Sequence, residues 1–181
     1  FTLVELLTTC VVLVIAAVIV IPYASVGASS SGQSATRYAV SSILTAQMDA
    51  IATQGYRRIH FYTDGSGWCV EIIEQSDLAN PFNAGTAIFA EDATESQGQS
   101  QQSIMKFHSD SRFGDISIDQ VLFDGVSENI TFDPTGGIVA SDGSPSTGGS
   151  FVIQSGEYAW QVQLAPLTGK IEVTETVGAG P

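Results

Sequence analysis

Residues 1–22 read FTLVELLTTCVVLVIAAVIVIP, and the rest of the chain is understood from them. From Leu6 to Ile21 there is no charged residue. As an α-helix rising ~1.5 Å per residue, residues 1–21 would span ~31 Å, about the hydrocarbon thickness of a bilayer. A secretory signal would show a starting Met, a basic n-region and a small-residue cleavage site. This stretch begins at Phe1, has no Lys or Arg before Arg37 and is apolar almost from its first atom. It is expected to be a segment retained after processing, a transmembrane helix rather than a leader awaiting removal.

Glu5 is the odd residue in that run. A carboxylate in an apolar helix is costly, by ~2.5–3.5 kcal/mol for comparable charges at a helix centre and by less near an end. One reading places Glu5 at interface depth in the first turn, where the helix dipole favours an acid. The other gives it a cationic partner, the α-amino group of Phe1, within one helix or between neighbouring subunits shifted by about one turn. Such a pair would neutralise both charges and set the stagger of a bundle.

FTLVELL, with Phe at the first position and Glu at the fifth, resembles the processed start of the type IV pilin and pseudopilin family. The resemblance implies a prepilin peptidase cut just before Phe1, N-methylation of Phe1, and Glu5 as the residue that guides assembly. Pro22 matches the family's helix-kinking proline.

Beyond Pro22 the chain reads YASVGASSSGQSA, with Gly27, Gly32 and several serines, all poor helix formers, and proline removes a helix hydrogen bond. A helix that is weak or melted over about 22–32 is expected, against the alternative of a continuous kinked helix. In related filaments such melting lets the subunit extend. Helical period resumes in TRYAVSSILTAQMDAIATQG, where Val40, Ile43, Leu44, Met48 and Ile51 mark an apolar stripe. That stripe is expected to pack on the rest of the protein, with Met48 a core filler. Ser41, Gln47 and Gln54 should then face water or neighbours. Gly55 reads as the helix cap, and Arg57 and Arg58 favour the negative helix end.

After Gly55 the period becomes two. Arg58–Thr63 and Trp68–Glu74 flank Asp64-Gly65-Ser66-Gly67, a hairpin turn. Further strands are expected at Thr86–Ala90, Ser103–His108, Ile116–Phe123, Asn129–Asp133, Phe151–Gln154, Tyr158–Leu164 and Lys170–Thr174, with Trp160 in the core. Glu91–Gln102 and Ala140–Gly149 read as loops, the second Gly- and Ser-rich and mobile. The expected fold is α+β: a long N-terminal helix, half transmembrane and half amphipathic, on a C-terminal antiparallel sheet or small sandwich. Residues 1–54 form the helix and 55–181 the head.

The charge is unevenly placed. The whole chain holds 19 acidic and 6 basic residues, a net −13, and only Glu5 and Arg37 are charged before Asp49. So anionic a head repels nucleic acid and lacks a polybasic patch for anionic lipid. Cys10 and Cys69, one in each part, read as ordinary thiols with no bridge between them. His108-Ser109-Asp110-Ser111 has the residue types of a hydrolytic triad, but adjacent residues do not build that geometry, and no nucleophile elbow, haem, Walker or Rossmann motif accompanies it. No catalysis and no cofactor are expected. Calcium would need Asp110, Asp115 and Asp119, or Asp133 and Asp142, to converge without EF-hand spacing. Asn129-Ile130-Thr131 is a glycosylation sequon.

The order of helix, early hairpin, Phe132-Asp133-Pro134-Thr135-Gly136 turn and closing Gly169-Lys170 resembles H-type minor pseudopilins and FimT-like pilins. The single cation at Lys170, followed by Glu172, sets the chain apart from the DNA-binding members. The resemblance implies a bacterial filament subunit, held in the inner membrane before assembly and then part of an extracellular or cell-surface helical homopolymer. Prepilin peptidase and a pilus or secretion assembly machinery would be its partners. A periplasmic minor pseudopilin of a type II secretion system is the near alternative, and a monomeric membrane-anchored binding module the distant one.

Overall fold

A computed structural model describes residues 2–91, 102–110, 112–113 and 115–177; for 17–28 and 177 it gives the backbone course. Among the described residues one α-helix, α1 (Leu3–Thr53), leads into ten strands: β1 (Tyr56–Phe61), β2 (Gly67–Ile73), β3 (Ile88–Phe89), β4 (Ile104–Lys106), β5 (Ile116–Phe123), β6 (Asn129–Phe132), β7 (Ile138–Val139), β8 (Gly149–Ser155), β9 (Tyr158–Leu164) and β10 (Ile171–Val177), and the pairings among them are antiparallel. One sheet runs β3-β2-β1-β6-β7, with β4 also on β2; the other runs β10-β9-β8-β5. The chain is α+β, with a helix packed on antiparallel sheets.

The hairpin at 64–67 forms as its sequence implies. β1 and β2 pair from Tyr56↔Ile73 to Phe61↔Trp68. Gly65 takes φ +70°, and its N–H donates to the Tyr62 carbonyl at 2.9 Å. The expected alternation in β9 also holds: Trp160, Val162 and Leu164 are buried while Gln161 and Gln163 face out. β7 was not legible, because two residues between Gly137 and Ala140 carry no period. The core joins helix and both sheets. The Phe61 ring of β1 meets Phe151 of β8 at 4.8 Å between centroids, and Ile43, Phe132 and Val162 are among the buried side chains around them.

Two expectations for α1 are corrected. The helix is unbroken from Leu3 to Thr53, through Pro22, Gly27 and Gly32. A proline deletes one hydrogen bond, but splitting a helix requires a second, unfavourable nucleation, so one helix persists where turns on both sides hold. Gly32 has a different cause. A Cβ there would lie 2.0 Å from the Trp160 ring, so the glycine admits the indole against the helix backbone. The Ser31 and Ser155 hydroxyls meet at 3.4 Å beside it.

The second correction concerns which face is buried. Ala35, Thr36, Ala39, Ile43, Ala46 and Ala50 form the seat on the head. Of the expected stripe only Ile43 is in the core and Val40 is partly buried; Leu44, Ile51 and Met48 are 44%, 45% and 69% exposed. Small side chains let the helix axis approach the sheets closely, and the aromatics beneath supply the volume that Leu and Met would otherwise fill. The cap also shifts by one residue. Gln54, not Gly55, is left-handed (φ 53°), and its side chain donates back to the Ile51 carbonyl at 2.8 Å.

Among the described residues no helix is long and apolar enough to cross a membrane. The described apolar side chains of α1's first part end at Ala16, while the apolar run of the sequence continues to Ile21.

Candidate functional site

The feature that needs a function is the helix surface left uncovered. Every described side chain from Leu3 to Ala16 is exposed, Leu3 at 82%. Glu5 lies in the first turn and completes a capping box. Its backbone N–H donates to the Thr2 hydroxyl, and its carboxylate accepts from the Thr2 N–H, both at a long 3.4 Å. The first-turn reading of Glu5 thus has a local partner. Phe1, the other half of the proposed charge pair, lies outside the described residues.

The far end of α1 is fastened by Gln47, a residue whose position in the sequence predicts contact with water or neighbouring subunits. Gln47 Nε2 donates to the Gly136 carbonyl at 2.7 Å and to the Thr168 carbonyl at 3.3 Å. It thereby ties the Phe132–Gly136 turn and the turn before Gly169-Lys170 to the helix. Asp133 shapes the first turn, accepting from the Thr135 N–H, the Thr135 hydroxyl and the Gly137 N–H. Gly136 is left-handed (φ +82°), and a Cβ there would meet Ile51 at 2.6 Å. The two motifs quoted from the sequence are therefore neighbours under one helix end. Periodicity could not reveal this, since a glutamine binding carbonyls leaves no apolar signal.

The paired arginines diverge. Arg57 turns back to α1, pairing with Asp49 and donating to the Thr53 hydroxyl at 2.9 Å. Arg58 points into the head. It meets Glu71 at 3.1 Å and donates to the carbonyls of Asp77, Leu78 and Asn80 at 2.9–3.0 Å. Both members of that second pair are buried. Their positions in adjacent hairpin strands are readable from sequence; their burial is not.

Several of the carboxylates considered for chemistry are engaged by neighbouring side chains. Asp110 binds Arg112, which helps hold its carboxyl below the ordinary carboxylate range, and His108 is exposed on a single 3-10 turn. Asp142 accepts from the Ser144 hydroxyl and N–H, and these bonds lower its carboxyl in the same way. Among the described residues no group of His, Cys, Asp or Glu is disposed to hold a metal ion, and Asp110, Asp115 and Asp119, or Asp133 and Asp142, do not form one. The stretch expected to be mobile, Ala140–Gly149, is instead laced to the β5–β6 turn: Asp124 accepts from the Ser146 hydroxyl and from the Thr147 N–H and hydroxyl. Most of the other expected loop, Glu91–Gln102, lies outside the described residues. The sequon is in β6, between β1 and β7, with Thr131 buried and Asn129 2.7 Å from the His60 ring.

Cys69 is fully buried in β2, and its burial pushes the thiol up to about 11. At pH 8 only about one in a thousand such groups is thiolate. In a Cys10→Ser chain, Cys69 is expected to stay unmodified by a thiol reagent at pH 8 until denaturant is added. Rapid native labelling would contradict this placement.

Comparison with protein-family models, with curated proteins and with solved structures finds no match.

Proposed function

We propose that this chain is a structural subunit of a type IV pilus-like extracellular filament, non-enzymatic, assembled through its hydrophobic N-terminal helix. The observation that carries the reading is the exposed, mostly apolar helical surface from Leu3 to Ala16, interrupted by Glu5 and by Thr8 and Thr9, whose hydroxyls bond back to the helix, on a helix whose other end is seated firmly on a folded head. Apolar surface of this extent is stable only when covered. Before assembly the cover would be the bacterial inner membrane, into which residues 1–21 fit by length and composition. After assembly it would be the same helices of other copies, supplied by the pilus machinery following cleavage by prepilin peptidase. The acidic head would remain outside, soluble at high local concentration. Pro22 and Gly27 mark where α1 would open if the subunit extends in the filament. Gly32, against which the Trp160 ring packs, would open only with loss of that contact.

The same features fit a minor pseudopilin of a type II secretion system, which would share the assembly principle and differ in abundance and in staying periplasmic. A monomeric membrane-anchored binding module would need no neighbour for Glu5.

Glu5→Ala separates these readings. In cells that display fibres containing the chain, the variant is expected to reach the membrane with its head folded and to yield no fibres. Undiminished fibre formation would remove Glu5 from assembly, whereas cells in which no fibre contains the wild-type chain would favour the anchored module.

A further inference from the structure

The outer face of α1 carries a second unpartnered surface, remote from the first. Leu44 and Met48 recur at helical spacing and face away from the seat on the head, flanked by Val40, half-buried against the core, and Ile51, whose side chain lies over Gly136. At the Val40 end, this stripe opens into a groove of about 520 Å³ between α1 and the edge strand β10, lined by Arg37, Val40, Leu44, Trp160, Val173 and Glu175. Arg37 is exposed, and the ion pairs among the described residues are Arg57–Asp49, Arg58–Glu71 and Arg112–Asp110, none of which engages it. The groove thus offers an apolar floor with one available cation on its helical wall.

We infer that the groove and stripe receive the N-terminal helix of a second copy, lying parallel to α1, with the incoming Glu5 against Arg37. This rests on the filament reading and specifies one of its contacts. Charge complementarity identifies the occupant. Between Leu3 and Met48 the chain holds one acid, Glu5, and one base, Arg37. On a parallel helix with Glu5 placed on Arg37, Thr8 falls on Val40, Val12 on Leu44 and Ala16 on Met48. A parallel helix covers the stripe through Met48 in this way. An antiparallel one would run off toward residue 26 and leave Leu44, Met48 and Ile51 bare. The contact must be between copies, because positions 5 and 37 of one straight helix are ~48 Å apart at ~1.5 Å per residue. The copies are offset axially by that distance. Glu175 stands on the β10 rim of the groove, and its repulsion turns the incoming carboxylate toward α1, where Arg37 lies.

The test is a cross-link in the full chain. With Cys10→Ser, Val12→Cys and Leu44→Cys combined, mild oxidation of assembled material should give a ladder of covalent dimers and larger multimers. Val12→Cys with Gln161→Cys, on the outward face of the second sheet, should give none. In parallel, Arg37→Glu should abolish assembly and Arg37→Lys should retain it. Assemblies that form normally without the Val12–Leu44 link, or that tolerate Arg37→Glu, would overturn this docking and leave the filament reading standing; lipid would then be the cover of the groove. A wild-type chain that stays monomeric when extracted and when displayed on cells would overturn both.

Discussion

Arg58→Ala is expected to destabilise the head by about 3–5 kcal/mol, the range for removing one partner of a buried ion pair. Arg58 and Glu71 are 3% and 4% exposed, so neither charge is shared with water. The guanidinium also satisfies the carbonyls of Asp77, Leu78 and Asn80, which close the turn leaving β2. Truncation would strand a carboxylate and three carbonyls at once. The stranded charge dominates, because neutral acceptors can recruit water into the space vacated, whereas a desolvated carboxylate must be protonated or exposed. Urea unfolding of the full chain in mild detergent, followed by the fluorescence of Trp68 and Trp160, measures the loss. The double change Arg58→Met with Glu71→Met should recover most of it, since apolar replacement of a whole buried pair is often neutral. A loss below about 1 kcal/mol for Arg58→Ala would mean that the pair is hydrated.

Gly32→Ala is expected to destabilise by about 1–2 kcal/mol, and here the sign is the informative part. In a helix not packed at this position, replacing glycine with alanine stabilises by about 1 kcal/mol. The new Cβ would instead lie 2.0, 2.5 and 2.9 Å from three atoms of the Trp160 ring, and these distances require the indole or the helix to move. Overpacking of this kind costs about 1–3 kcal/mol, enough to reverse the gain in helix propensity. Trp160→Leu in the same chain should restore the ordinary sign, giving a double-mutant coupling that neither change shows alone. Stabilisation by Gly32→Ala in the wild-type background would return Gly32 to the role of a simple helix weakener.

These two sites mark where sequence reading ran short. Glycine was read by its propensity, and propensity does not record what lies across the contact. The same limit explains the shifted helix face. Hydrophobic periodicity marks Val40, Ile43, Leu44, Met48 and Ile51 because they are large, yet of these only Ile43 lies in the core, while Ala35, Ala39, Ala46 and Ala50 score weakly although they form the seat. A closely packed helix needs small residues at the contact, and its larger apolar residues are then left for something else. Gln47 shows the complementary failure: a polar side chain expected to meet water or neighbouring subunits has its amide on two turn carbonyls far away in sequence. Where the signal was local, it held. The 64–67 turn, the β9 alternation and the bounds of β5 all follow from residues within a few positions of each other.

By itself the sequence determined the uncharged apolar run from Leu6 to Ile21, the single acid ahead of it, the acidic head, and most strands and turns, because each depends on the chemistry of adjacent residues. Only the tertiary structure decided that α1 continues through Pro22, which of its faces the head covers, that Arg58 and Glu71 are buried together, and that a groove beside Arg37 is left open. These depend on which surfaces meet, and contacts between distant segments leave no period in the chain.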